Sequence, residues 1–399
     1  MPDFQKAMHV AWARLYFESI GAQGREHLPA SGPVLYLALH RNGIVDGFVH
    51  ECVLRAPTYM ISAQWKKGLR GLFFDGICVV REKDGGDSSK NVDALTLCVE
   101  HLKKGGELGI FPEGTSALGP RHLPFKTGAA RTLAAYLETG GPITVLPIGL
   151  HYERAWAFRS RVELVIGPPM DTALDPELST NHKMRTLQQR IEKAMEGVGI
   201  NVADEAEQAL VERLAYAATL GTDLDYFNAL KVFEKGIPEE IRQGWRELDE
   251  SPVGQRALRH QGVPLIPTGP LAVYALALLL LGPWVPVAVI LNLPPFLAAY
   301  WAGKRFPDGP NVITLWRILV GMPAFALWGL AVITAAILLG HPWWALAWGL
   351  LTLAGILSWY RVKKVCVAIH NALRCGELRG VLQALHVRVI AHVTGELGK

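Results

Sequence analysis

Residues 271–360 constrain this chain more than any other segment. Across those ninety positions Lys304, Arg305, Asp308 and Arg317 are the only Lys, Arg, Asp or Glu side chains. Residues 314–340 are long enough to cross a bilayer and 343–360 nearly so, with only His341-Pro342 between them. Residues 271–302 are equally apolar but broken by Pro283, Pro286, Pro294 and Pro295. Either half falls short of the roughly 20 residues of a full span, which predicts a hairpin or re-entrant element. A pair of buried core helices is the soluble alternative. Arg256 and Arg259 precede the apolar region, Lys304 and Arg305 follow its first block, and Arg361, Lys363 and Lys364 follow its last. Because the His341-Pro342 turn carries no Lys or Arg, charge asymmetry places both ends of the region on the cytosolic side. Trp343, Trp344, Trp348 and Trp359 suit an interfacial belt. With no cluster of ionisable groups inside it, the region is an anchor in this reading and not a transport path.

The remaining chain reads differently. Hydrophobic residues make up 50% and charged residues 19% of the whole, but the apolar excess lies in the tail. A net charge of +4 suits an anionic membrane surface or phosphorylated substrates. No basic stripe with interleaved aromatics points to nucleic acid. The five cysteines, Cys52, Cys78, Cys98, Cys366 and Cys375, show no CxxC pair or metal-ligand spacing and read as buried thiols in a reducing compartment. The charged N-terminus lacks the apolar run of a secretory signal.

From residue 4 to 20 apolar residues recur at helical spacing (Phe4, Ala7, Met8, Ala11, Leu15, Ile20), on a helix that packs on the core or lies on a membrane. Strands are predicted at 34–39, 58–62, 77–80, 107–111, 143–150 and 162–166. Helices are predicted from the His40 loop to about Arg55 and at 91–104, 127–139, 181–198 and 204–218, with polar helices continuing to about His260. Alternation of this kind predicts an α/β sheet. The domains expected are a catalytic α/β domain over 1–200, a helical connector over 201–268, transmembrane hairpins over 269–362 and a cytosolic amphipathic tail over 363–399.

His40 stands where an apolar run ends, six residues before Asp46. Sheets expose catalytic groups at such strand ends. A neutral imidazole with a carboxylate in reach can act as general base, the carboxylate fixing its tautomer. No nucleophilic serine or cysteine accompanies the pair, so the base would activate a substrate hydroxyl. GxSxG and GxxxxGK[ST] are both missing, which disfavours an α/β-hydrolase and a P-loop enzyme.

Four ordered blocks carry a resemblance across residues 25–200. They are His40-Arg41-Asn42-Gly43-Ile44-Val45-Asp46, the run from Gly71 to Arg81, Phe111-Pro112-Glu113-Gly114-Thr115-Ser116, and Val145-Leu146-Pro147-Ile148-Gly149 preceded by Leu123-Pro124-Phe125-Lys126-Thr127-Gly128. The chain resembles the glycerophospholipid acyltransferases, which act on glycerol-3-phosphate or 1-acylglycerol-3-phosphate. It departs from them in one extra residue between His40 and Asp46 and in Ser116, where an arginine commonly follows FPEGT. The resemblance implies an acyltransferase-type α/β sheet domain followed by the helical transmembrane region. His40 and Asp46 would form the catalytic dyad. Arg81, Glu113, Gly114, Thr115, Ser116, Asn42 and Lys126 would serve substrate binding, with Arg121 or Lys126 supplying the cation lost at Ser116. Asn42 and Gly43 would also shape the loop beside the base.

The donor would be an acyl-CoA or acyl carrier protein thioester, with no metal or prosthetic group. The acceptor would be 1-acylglycerol-3-phosphate, glycerol-3-phosphate or a broader lysophospholipid, drawn from membrane lipid. Such an enzyme would be an integral protein of a bacterial inner membrane with its catalytic domain in the cytosol. The non-enzymatic alternative is a membrane scaffold that keeps an inactive acyltransferase domain.

Overall fold

The computed structural model describes residues 3–55, 57–62, 71, 73–79, 91–260, 262–263, 265, 267 and 269–398. The chain divides into two compact units, one comprising Met1–Trp156 with Arg161–Asn201, the other Ala157–Ser160 with Val202–Lys399.

The first unit is an α/β domain. Its elements in chain order are α1 (Asp3–Tyr16), β1 (Ser19–Gln23), β2 (Val34–Ala38), α2 (Val45–Glu51), β3 (Thr58–Ser62), β4 (Ile77–Val79), α3 (Asn91–Lys103), β5 (Glu107–Ile110), α4 (Gly128–Leu137), β6 (Thr144–Tyr152), β7 (Arg161–Ile166) and α5 (Thr180–Val198). The seven strands lie in the order β1-β7-β6-β2-β5-β3-β4. All pairs are parallel except the antiparallel β6–β7 hairpin. β2 lies at the centre, Leu35 facing Leu108 on one side and Val145 on the other. All five of its side chains are buried, as expected of an apolar run covered on both faces. Each such Val or Leu contributes about 1.5–3 kcal/mol of transfer free energy. The core beneath is built from Leu35, Leu37, Leu102, Leu108, Leu133 and Ile191, which join the sheet to α3, α4 and α5.

Several local expectations fail. The first helix stops at Tyr16, because Ser19–Gln23 pairs with Arg161–Val165 as an edge strand. Its apolar stripe is also not the packed face. Gln5, His9, Ala13 and Tyr16 turn inward, whereas Phe4 stays 73% exposed and Leu15 is exposed. The inward face is polar because its groups find partners. His9 bonds the Glu51 carboxylate (2.9 Å) and the Phe73 carbonyl (2.7 Å), and its ring stacks on Phe48. The helix after the His40 loop is also shorter than expected, ending at Glu51. Of the cysteines expected to be buried, Cys98 and Cys375 are; Cys52 and Cys78 are half-buried and Cys366 is exposed.

The second unit is helical: α6 (Glu205–Ala218), α7 (Tyr226–Lys235), α8 (Glu239–Glu250), α9 (Pro252–Ala257), α10 (Leu271–Leu281), α11 (Trp284–Leu291), α12 (Leu293–Arg305), α13 (Ile313–Leu338), α14 (Trp343–Arg374) and α15 (Arg379–Leu397). Asp204 caps α6, its side chain accepting the Glu207 N–H. Three segments are long and apolar enough to cross a membrane: Leu271–Leu291, Pro310–Leu338 and Trp343–Arg374. The prolines of the first block fall in helix first turns or caps, where the missing N–H costs little, so α10 and α11 together make a 21-residue segment. α14 does not stop near Tyr360 but continues to Arg374. There Asn371 donates to the carbonyls of Ala257 and Leu265.

Candidate active site

β2 ends at Ala38, while β6 beside it runs on to Tyr152. The chain leaving β2 therefore passes along the overhang of β6 and turns through residues 40–44 into α2. Gly43 takes a positive φ of 56° in that turn, a conformation that favours glycine. The turn brings Asp46, in the first turn of α2, back under His40.

The distance between His40 Nδ1 and Asp46 Oδ2 is 2.9 Å. The extra residue between them thus does not separate the pair. Asp46 is fully buried (0% exposed) and accepts three further donors: the Arg41 N–H (2.8 Å), the Asn42 N–H (2.9 and 3.0 Å to its two oxygens) and the Tyr152 hydroxyl (2.7 Å). With Nδ1 directed at a carboxylate, the imidazole carries its proton there, and Nε2 is the nitrogen able to accept one. The ring is held face-on against Phe111 (4.1 Å between centroids, 21° between planes). The His40 side chain keeps 15% of its surface, and among the described residues Nε2 has no hydrogen-bond partner.

The loop after β5 completes the site. Glu113 is 2% exposed and both its oxygens are occupied, Oε2 by the His40 N–H (2.7 Å) and Oε1 by the Leu123 N–H (2.9 Å). Burial raises its carboxyl above the usual range, opposed by those two N–H donors and by the nearby Arg41 and His40. Gly114 turns the chain with φ 70°, and the Lys126 side chain lies across it, so an added Cβ would meet Lys126 Nζ at 3.1 Å. Thr115 and Ser116 are half-buried in the same loop. The Ala117 N–H donates to the His40 carbonyl (2.9 Å), tying the loop to His40.

The structure therefore gathers His40, Asp46, Asn42, Glu113, Gly114, Thr115, Ser116 and Lys126 at one sheet end. Asn42 is wholly buried, its Nδ2 donating to the Ala155 carbonyl (2.9 Å), which places it in the framework of the loop. Arg121 is exposed in the segment before Lys126. Arg81 lies outside the described residues. Two neighbours were not singled out from sequence. Tyr152 sits at the far end of a strand that carries no signal for it. Arg41 donates to the carbonyls of Ala117 (3.2 Å) and Gly119 (3.3 Å), bringing a guanidinium to the loop where Ser116 offers none. Its place beside His40 was the available signal.

A mostly parallel sheet with a histidine–carboxylate pair at a strand end defines an α/β domain fitted for general-base chemistry. Residues 19–151 match the family model described as Acyltransferase. Glycerol-3-phosphate O-acyltransferase 2 of Saccharomyces cerevisiae is 39% identical over 83 residues, 20% of this chain and 11% of that protein. The chloroplastic 1-acyl-sn-glycerol-3-phosphate acyltransferase BAT2 of Brassica napus is 34% identical over 143 residues, 34% of this chain and 38% of that protein. The chain thus spans well under half the length of these curated relatives. A crystal structure of the 1-acyl-sn-glycerophosphate (LPA) acyltransferase PlsC from Thermotoga maritima aligns at 20% identity and TM-score 0.36, over 50% of this chain and 82% of that one. Residues 19–151 thus match the acyltransferase family model, and the relatives similar to this stretch are named as glycerolipid acyltransferases.

Proposed function

We propose that this chain is a membrane-bound O-acyltransferase that moves a fatty acyl group from a thioester to a hydroxyl of a glycerophospholipid precursor, 1-acylglycerol-3-phosphate being the acceptor we favour. The observation that carries this reading is the 2.9 Å contact of His40 Nδ1 with buried Asp46, which leaves Nε2 without a partner among the described residues in a segment that matches the acyltransferase family model.

In this mechanism Nε2 takes the proton of the acceptor hydroxyl as its oxygen attacks the thioester carbonyl. A C–O bond forms and the carbonyl becomes tetrahedral. The C–S bond then breaks, and the departing sulfur takes the proton from the imidazolium, so the base is regenerated. Asp46 stabilises the imidazolium between the two steps. The phosphate of the acceptor is assigned to cations at the loop after β5. Lys126 serves there, with Arg81 contributing from outside the described residues and Thr115 and Ser116 as hydroxyl donors. Glu113 acts on the acceptor through the backbone of His40. The donor is acyl-CoA or acyl carrier protein thioester. α10–α14 anchor the catalytic unit at the cytosolic face of a membrane, where lipid acceptor and soluble donor meet.

Glycerol-3-phosphate is the second reading, favoured by the 39% match to a relative named for that acceptor. Thiol release by the full chain in nanodiscs, with palmitoyl-CoA or palmitoyl acyl carrier protein and each acceptor supplied separately, decides between them. Release with one acceptor, falling by ~10²–10⁴-fold in His40→Ala, supports the mechanism and names the acceptor. Release that His40→Ala leaves intact overturns the mechanism, and silence with both donors would leave a membrane scaffold as the better account.

A further inference from the structure

Asp46 is wholly buried, and its two oxygens do different work. Oδ2 accepts His40 Nδ1 (2.9 Å) and the Arg41 N–H (2.8 Å), while Oδ1 accepts the Tyr152 hydroxyl (2.7 Å) and shares the Asn42 N–H. Backbone N–H groups of the 40–44 turn would follow Asp46 in any small rotation, because they belong to the same loop. Tyr152 does not. It is the last residue of β6, in register with Val162 of β7, and its ring is packed 5.6 Å from that of Phe17. It is thus the only side chain among the described residues that ties the carboxylate to the sheet, His40 itself aside.

Resting on the mechanism proposed above, we infer that Tyr152 is a positioning residue for the His40–Asp46 pair: its hydroxyl clamps Oδ1 so that Oδ2 faces the imidazole and aims Nε2 at the acceptor hydroxyl. A phenol is suited to this place. It donates one short hydrogen bond to an anion, brings no charge into a buried site, and has only two side-chain torsions to order. Burial and the neighbouring Asp46 push the Tyr152 hydroxyl well above its ordinary range, so it stays protonated and remains a donor at every working pH. The clamp also sets how much negative charge His40 feels, since a carboxylate that shares charge with a phenol holds an imidazolium less tightly. The other titratable or charged groups facing this cluster are Arg41, His50, Cys52, Tyr59 and Glu113.

The test compares wild type, Tyr152→Phe and His40→Ala as full chains in nanodiscs, measuring thiol release against pH and against each substrate. Tyr152→Phe preserves the ring that packs on Phe17. The expected result is a fall in kcat of roughly 5- to 50-fold with both KM values within about twofold of wild type. The acidic limb of the pH profile should move upward, because Asp46 then stabilises the imidazolium more strongly. Replacing Tyr152 by a fluorotyrosine, whose more acidic phenol is a stronger donor, should move that limb downward. A purely structural Tyr152 would lower thermal stability while leaving the pH profile and kcat per folded molecule unchanged, and that outcome overturns the proposal. Should Tyr152→Phe fold poorly, the fluorotyrosine protein decides, an unmoved limb counting against the clamp. A wild type silent with both acyl-CoA and acyl carrier protein donors overturns the acyltransferase mechanism and this inference together, whereas an active wild type with unaffected variants overturns only the inference.

Discussion

At the scale of single residues, two buried carboxylates hold one histidine by different handles. Asp46 takes the ring and Glu113 the backbone N–H, so the imidazole is fixed in both position and rotation. Glu113→Gln keeps the shape but offers one acceptor oxygen where two N–H groups need one each. The amide then leaves a buried donor unpaired, at a cost of about 1–3 kcal/mol, and kcat should fall with KM little changed. Thermal unfolding together with steady-state kinetics checks this, and an equal loss confined to acceptor KM would point instead to direct binding. His50 makes a separate statement about pH. It is fully buried, bonded through Nδ1 to the Tyr59 hydroxyl (2.7 Å), and burial lowers it from 6.5 to about 4. Between those values the unfolded chain binds the proton that the folded one refuses, so stability rises with pH across the window. On acidification from pH 6.5 to 4 the fold should lose about 3 kcal/mol through this group. Denaturant titrations across that range should show a shallower slope in His50→Phe.

Among elements, the apolar region is organised by small residues and one buried amide. α11 and α14 run antiparallel, Gly355 lying against Ala288 and the Trp284 carbonyl, and Asn292 donating to the Thr352 hydroxyl (2.8 Å). α12 and α13 pair likewise, Gly321 against Ala299 and Gly303 against Arg317. Small residues allow this approach where no hydrophobic force drives helices together in lipid. The Trp328 indole N–H donates to the Leu291 carbonyl (2.9 Å) at the α11–α12 turn. Trp328 lies ten residues before the end of α13, and Thr352 nine residues after the start of α14. At 1.5 Å per residue the turn therefore sits about 15 Å short of the α13–α14 turn, half the depth of a ~30 Å hydrocarbon layer. Length alone would let Leu271–Leu291 cross a bilayer; with α13 and α14 spanning one, this packing predicts a re-entrant α11–α12 turn. A cysteine at position 292 should resist impermeant thiol reagents from both sides of a sealed vesicle, while one at His341 should react from one side. Labelling at 292 as fast as at 341 would mean a full crossing.

Across the whole molecule, the sequence by itself settled matters that depend on pattern along the chain. Alternating apolar runs and turns placed β3 without error and most other elements to within a few residues, since strand and helix periods are local properties. Apolarity over residues 271–360 marked the membrane-candidate region, and the spacing of His40, Asp46 and Glu113 among recognisable blocks marked the candidate site. What sequence could not supply depends on where distant segments meet. The first helix buries its polar stripe because Glu51 and the Phe73 carbonyl happen to receive His9, and the edge strand β1 exists only because β7 lies beside it. The two carboxylates could be named from the sequence, but not the N–H groups that Glu113 would occupy. Tyr152 is 106 positions from Asp46 and reaches it because β6 outruns β2, and Asn292 finds Thr352 sixty positions away. Local pattern is encoded by neighbours along the chain, whereas the partners of a buried polar group are chosen by the fold, which alone decides what lies within 3 Å of it.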